Sequence, residues 1–347
     1  MNSNLEELYK KKYLKYKAKY LNLQRGGVYN NGINHPAYKI GKVLITKKSF
    51  RFLRKIGNTQ DINKLSSPEL MAFDNSGNIV LADTGNKIVK IINPLNGLTI
   101  RTIGAIYTGE YKPGHLYNPI GVAFANADHI IVSDRMSPDM GQLVVFNYSD
   151  GLHVRTFAIR PYNSDETGQS LCNAGSIAVS NDGNVFALDG YDSLIKIFNI
   201  STGNFMRSIC SKGDKPGQIG GDGNIVFNNN GNIVVADSVN KRIQIINSSG
   251  QVLKLFNTKG IPSSIIVDSD NNIIVTVTNT ITDTVTNTVT KRNCVMVYNM
   301  NGNILKENCF VYGYNNGEVL TPSGIAVNTE GNIFVIDNGL DRIQIFE

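Results

Sequence analysis

Apolar residues in this chain come in short runs, interrupted every few positions by polar turn residues. The stretch 70–103 shows the pattern. Apolar runs lie at 70–74, 79–82, 87–92 and 99–103, and the first three are separated by Asn75-Ser76-Gly77-Asn78 and Asp83-Thr84-Gly85-Asn86. Short runs rich in β-branched residues and bounded by Gly, Asn and Asp read as strands. No stretch between them is long enough to carry the period of an amphipathic helix. Four short strands in succession, joined by tight turns, predict an antiparallel meander.

The meander repeats. A seven-residue phrase recurs as GNIVLAD at 77–83, DHIIVSD at 128–134, GNVFALD at 183–189, GNIVVAD at 231–237, NNIIVTV at 271–277 and GNIFVID at 331–337. The run after it recurs as KIVKII, QLVVFN, LIKIFN, RIQIIN, CVMVYN and RIQIFE. Pro68, Pro119, Pro262 and Pro322 stand at the head of the first run, where a proline presets the turn and removes no ladder hydrogen bond. Strand-rich units of about forty to fifty residues belong to propellers rather than solenoids. The predicted fold is all-β: a six-bladed β-propeller over 43–347, each blade a four-stranded antiparallel sheet.

The pattern G…P-x-x-I-A-V-x-x-x-G-N-I-x-V-x-D-x-x-N-x-R-I-Q-I-F, fullest at 222–247 and 322–347, resembles the NHL repeat. That resemblance implies a six-bladed propeller. Through the tripartite-motif members of the family it also implies a loop face that binds RNA or protein. The fifth copy departs from the pattern, with Val277 in place of the aspartate and an insertion after it. The sixth copy reaches Glu347 at the end of a third strand, while 50–57 (FRFLRKIG) is similar to the fourth runs TIRTIG at 99–104 and FMRSIC at 205–210. The expectation is that this segment, begun at 43–46, pairs with 343–346 and completes the sixth blade, because an open edge would leave backbone groups unpaired.

Charge divides the chain. The formal net charge is +6, but residues 1–55 carry a balance of +12 and residues 56–347 a balance of −6. An acidic body has no general attraction for a polyanion, which ranks RNA behind protein as a partner of the propeller. Four cysteines and no secretory leader predict a reducing, intracellular setting. Cys294 and Cys309 fall opposite each other across a hairpin turning at Asn301-Gly302 and are expected to be ordinary buried thiols. No apolar stretch approaches membrane-spanning length.

Residues 1–25 predict a basic amphipathic helix. Ser3 and Glu6 fit a capping box, Gly26-Gly27 a stop, and Leu5, Leu8, Tyr9, Tyr13, Tyr16, Tyr20 and Leu23 form one stripe among lysines. Such a stripe calls for a partner: an anionic surface, a protein groove or another copy of itself, or nucleic acid. The string KKKYLKYKAKYLNLQ resembles a short N-terminal motif shared by many otherwise unrelated proteins of giant DNA viruses. That resemblance implies a portable placement module, acting in host cytoplasm, a viral factory or a virion. Residues 26–42, rich in Gly and Asn, read as a linker.

Candidate chemistry is sparse. Asp83, Asp134, Asp189, Asp237 and Asp337 end the recurrent phrase, near Lys87, Arg242 and Arg342, and are expected to cap turns and pair with those bases rather than bind a cation. Repeat alignment places Glu69, Ile120, Gly175, Gly223, Ser263 and Ser323 at the channel mouth, and one carboxylate among them does not make a calcium cage. His35, His115, His129 and His153 are not expected to converge as zinc ligands. Asp268-Ser269-Asp270 starts like an EF-hand loop, but Asn279 stands where its last glutamate belongs. Threonine occupies every even position from 276 to 290, which predicts that the second and third strands of blade 5 extend into a protruding hairpin near Asp283. One face gathers Tyr107, Tyr111, Lys112, Tyr117, Arg135, Arg160, Tyr162, Tyr191, Tyr312 and Tyr314, residue types that anchor interfaces. The expected function is a non-enzymatic scaffold for a protein partner, with an RNA-binding propeller as the alternative and a degenerate metal-dependent hydrolase or lyase behind both. No metal or cofactor is expected.

Overall fold

A computed structural model describes residues 49–57, 63–106, 112–137, 140–159, 169–282 and 289–347. The chain divides into two compact units, Met1–Asn34 and His35–Glu347, and all described residues belong to the second. The expected N-terminal helix, the linker and residues 43–46 lie outside the described residues.

Six four-stranded antiparallel sheets follow one another. Blade 1 comprises Pro68–Phe73, Ile79–Asp83, Ile88–Ile92 and Thr99–Ile103. Blade 2 comprises Pro119–Phe124, His129–Ser137, Met140–Asn147 and His153–Phe157. Blade 3 comprises Ala174–Val179, Asn184–Asp189, Leu194–Asn199 and Phe205–Ile209. Blade 4 comprises Gly223–Phe227, Ile233–Asp237, Arg242–Ile246 and Val252–Asn257. Blade 5 comprises Ile261–Val267, Ile273–Thr282, Val289–Tyr298 and Ile304–Phe310. Blade 6 holds Pro322–Val327, Ile333–Asp337 and Arg342–Phe346, and Phe52–Ile56 lies as its outer strand in the register Phe52↔Phe346, Arg54↔Ile345, Lys55↔Gln344 and Ile56↔Ile343. First strands of successive blades touch all the way round, from blade 1 through blade 6 and back to blade 1. Each sheet begins its first strand on one face of this ring, the mouth face, where its second and third strands are also joined.

Local turn chemistry explains the recurrent phrase. After the first strand of blade 1, Asp74 Oδ1 accepts the backbone N–H of Ser76 and Asn78, and Gly77 takes φ +81°. Asn228, Asp268 and Asn328 do the same in blades 4, 5 and 6. A short carbonyl-bearing side chain closes the turn, and a left-handed residue follows it. Asp268 is thus a turn residue, not part of a calcium loop.

Cores lie between blades, not within them. One cluster joins Val80, Val89, Ile91 and Ile103 of blade 1 to Val122, Ile130, Val132, Val144 and Phe146 of blade 2, and another joins Ile79 and Leu81 to Phe334, Ile343 and Ile345 of blade 6. Second and third strands are buried on both faces, so they read as continuous apolar runs rather than alternating ones. Outer strands are exposed on one side instead, showing Leu53, Ile100, Val154, Met206, Leu253 and, in blade 5, both Ile304 and Leu305.

Two rings of side-chain hydrogen bonds stitch the blades. The inner ring crosses all six junctions. Thr84 Oγ1 donates to the Pro119 carbonyl at 2.5 Å, and Ser133 Oγ to that of Gly175 at 2.5 Å. Ser176 reaches Ile225 O at 3.4 Å and Ser238 reaches Pro262 O at 2.6 Å. Ser263 reaches Pro322 O at 3.3 Å, and Ser323 completes the circle at Pro68 O, 3.1 Å away. In the outer ring, the basic residue that follows an exposed outer-strand apolar residue leans toward the next blade in blades 6, 1, 2, 3 and 5. Arg54 donates to the carbonyls of Pro94 and Leu95, Arg101 to Ser149, Arg155 to Ser201 and Arg207 to Ser248 (2.7 Å). Lys306 lies over the Phe50 ring at 5.3 Å.

Two expectations are corrected. Cys294 and Cys309 are not thiols: they sit opposite each other in adjacent strands and form a disulfide. The partner of Asp83 is Lys90, at 2.8 Å, not Lys87. Lys87 closes the short 3-10 turn Thr84–Asn86 in the left-handed region, whereas the side chain of Lys90, three residues further on, reaches back to the carboxylate.

Candidate functional site

The aspartates that end the second strands govern the loops of the mouth face. Each reaches back to the loop that leads into its own blade. Asp83 accepts from Ser66 N, Asp134 from Tyr117 N and Asn118 N, and Asp189 from Cys172 N and Asn173 N. Asp237 accepts from Gly220 N, and Asp337 from Leu320 N and Thr321 N. All five carboxylates are fully buried. In four blades a cation of the third strand balances them: Lys90, Lys196 at 2.9 Å, Arg242 at 2.9 Å and Arg342 at 3.0 Å. The same cations bind loop carbonyls, as Arg342 does at Tyr314 O, Asn315 O and Glu318 O. These clamps hold structure rather than a metal. Cys172, Asp189 and Asp192 converge within metal-ligand reach, but the Lys196 ammonium already fills the seat between the carboxylates.

Blades 2 and 5 break the rule in different ways. In blade 5, Val277 pairs with Cys294 in the register where Asp237 pairs with Arg242, so an apolar residue and the disulfide replace the ionic clamp. In blade 2, Gln142 lies opposite Asp134 in the register that Arg242 and Arg342 hold. Gln142 donates to Asp134 Oδ2 at 2.7 Å but brings no charge. Burial pushes the Asp134 carboxyl up to about 6, against the hydrogen bonds from Gln142, Tyr117 and Asn118 and the more distant charge of Lys87.

The channel opens on this face as a cavity of ≈ 340 Å³. All six positions aligned from the repeats line it: Glu69, Ile120, Gly175, Gly223, Ser263 and Ser323. Arg135, Asp222, Asn224 and Asn338 add the polar groups that alignment did not supply. Asn338 Nδ2 donates to Glu69 Oε1 at 3.3 Å. Burial raises the Glu69 carboxyl above its ordinary value, opposed by the charge of Arg135. Among the described residues no histidine lines this cavity; His115 sits in the short strand His115–Leu116 on the way into blade 2, while His129 and His153 start strands at the opposite face.

Of the ten interface candidates, Arg135 lines the cavity. Tyr191, Tyr312 and Tyr314 are exposed at 57%, 48% and 71%, on mouth-face loops of blades 3 and 6. These two blades lie across the ring from each other, so the tyrosines flank the mouth rather than form one patch. Lys112 is exposed and Tyr117 half-buried in the loop leading into blade 2. Tyr107, Tyr111, Arg160 and Tyr162 lie outside the described residues, as does the whole N-terminal stripe. Val239 and Val311, exposed on the same face at 60% and 68%, were not singled out from sequence, because isolated valines there look like any strand residue. In blade 5 the second and third strands run on past their neighbours as a two-stranded ribbon, paired from Asn279↔Arg292 to Thr282↔Val289.

Six four-stranded sheets around a polar-mouthed channel define a six-bladed β-propeller. No protein-family model matches the sequence, and no curated protein does. Solved structures do match in fold. Kuenenia stuttgartiensis hydrazine synthase superposes with a TM-score of 0.57 at 14% identity, over 84% of this chain and 79% of that one. Virginiamycin B lyase from Staphylococcus aureus gives 0.54 at 11% identity, over 85% and 99%. The WD40 β-propeller domain of Doa1 gives 0.52 at 12% identity, over 81% and 78%. At such identities the likeness is one of fold alone.

Proposed function

We propose that this chain is a non-enzymatic interaction scaffold of the NHL type, in which the mouth face of the propeller binds a protein and the N-terminal helix positions the assembly. One observation carries the reading. Exposed aromatic and aliphatic side chains, Tyr191, Tyr312, Tyr314, Val239 and Val311, stand on loops whose backbones are pinned by buried aspartate clamps. Pinned loops lose little entropy on binding, and tyrosines give large contact area with few rotatable bonds, which suits a docking face. An intracellular or virion setting belongs to the proposal, but the cysteines no longer support a reducing compartment, since two of the four are joined.

The test is affinity capture from native or infected cells with three forms: full-length chain, chain lacking residues 1–25, and Y191A/Y312A/Y314A. The triple variant is expected to lose its protein partners while keeping its melting temperature. Identical capture by all three forms would end this reading. Retention on immobilised RNA that weakens steeply with salt would favour the RNA-binding alternative.

A further inference from the structure

The polar side chains around the channel mouth are not equivalent. Ser176, Ser238, Ser263, Ser323 and Asn338 direct their donors to carbonyls of the neighbouring blade, where they belong to the stitching of the ring. Arg135 does not. Its Nε is buried and makes no hydrogen bond, although the residue lines the cavity. A buried guanidinium donor without an acceptor costs free energy, and a ligand that draws this half-buried side chain toward the cavity would supply the acceptor. Gly175, Gly190 and Gly223 also line the cavity and put no side chain into it.

From this geometry we propose that the channel mouth is a carboxylate-binding site anchored by Arg135, taking either a free small organic acid or an acidic side chain of a docked polypeptide. The proposal rests on the mouth face being the binding surface, and it names the chemistry of what enters. The guanidinium edge matches a planar carboxylate with two parallel hydrogen bonds. A doubly charged phosphate fits less well, because Glu69 and Asp222 share the cavity and would repel it. The cavity has room for roughly ten water molecules at ~30 Å³ each, enough for a glutamate side chain or a five-carbon diacid but not for a folded segment.

The experiment is titration calorimetry on the full chain with three probes: glutarate, the blocked tripeptide acetyl-Gly-Glu-Gly-amide, and its Gln counterpart. At least one acid should bind at one site per chain, and the Gln peptide should not. Binding by glutarate alone assigns a free acid; binding by the Glu peptide assigns a side chain of a partner. Arg135→Gln should weaken the acid at least tenfold with the melting temperature unchanged. Glu69→Gln, which removes a competing negative charge, should bind as tightly as the parent or more so, and it keeps the test alive if Arg135→Gln misfolds. Absence of binding by both acids, equal binding of the Glu and Gln peptides, unchanged affinity in Arg135→Gln, or weakened affinity in Glu69→Gln would overturn the proposal. Loss of partner capture with acid binding intact would strike the scaffold reading and leave this one standing.

Discussion

Asp134 is the one buried clamp aspartate faced by a neutral partner, and this sets up a prediction with a definite sign. Its carboxyl is held at about 6 in the folded chain, against 3.8 ordinarily. Between those values the folded protein keeps a proton that the unfolded chain has released. The folded state therefore binds more protons in that window, and stability falls as pH rises through it. Above pH 6 the ionised, buried carboxylate opposes folding by about 3 kcal/mol, to order of magnitude. Asp134→Asn removes that charge and keeps an oxygen for Tyr117 N at 2.9 Å and Asn118 N at 2.8 Å. Its new amide can face Gln142 Oε1, which has no partner in the parent chain. The variant should gain about 1–2 kcal/mol at pH 8 and little at pH 4.5. Asp237→Asn should do the reverse, losing about 3–5 kcal/mol at pH 8, because it strands the buried Arg242. Urea melts of parent and both variants at pH 4.5 and 8 measure this. If Asp134→Asn and Asp237→Asn destabilise equally at pH 8, the argument that blade 2 holds an uncompensated charge is wrong.

Other outcomes follow from the same contacts. Gln142→Arg sets a guanidinium in the register of Arg242 and Arg342 and should raise the midpoint of thermal unfolding at pH 8 but not at pH 4.5. Arg207→Ala removes the bond to Ser248 O across the junction of blades 3 and 4 and should cost about 1–2 kcal/mol in a denaturant melt. Deleting residues 49–57 strips blade 6 of its outer strand and should abolish the single cooperative transition in calorimetry; a truncated chain with the parent melting temperature would refute this. Reduction of Cys294–Cys309, whose partners are 15 residues apart, should lower stability by at most about 3 kcal/mol, with the cross-link itself read by peptide mapping under non-reducing conditions.

Much of the blade architecture was legible because turn chemistry is local. Asp74, Asn228, Asp268 and Asn328 each announce a turn by residue type and spacing, and strands between them can only form a meander. Repeat alignment then carried six residues to the channel mouth, since equivalent positions in a ring must share a depth. Contacts between side chains were less legible. Lys87 is nearer Asp83 in sequence than Lys90, yet the left-handed backbone at Lys87, φ +58°, leaves the pairing to the more distant lysine. Asp222 stands where other blades carry Pro68, Pro119, Pro262 and Pro322, so its counterparts gave no sign of a polar group there. The arginines of the outer ring did carry a signal, a basic residue after an exposed apolar one in every outer strand, but its meaning needed the next blade to be seen.

The way blade 6 is sewn has a mechanical consequence. Phe50 N donates to Glu347 O at 2.5 Å and Glu347 N to Arg51 O at 3.0 Å, so the outer strand starts where the third strand stops. Both lie on the face away from the mouth. A force applied between these points would peel the antiparallel neighbours apart one rung at a time, as a zip opens, instead of loading all their rungs together in shear. Blade 6 is therefore weak against tension between the strand ends at residues 50 and 347. A pull between one of those ends and the mouth face would load the rungs lengthwise and meet far more resistance.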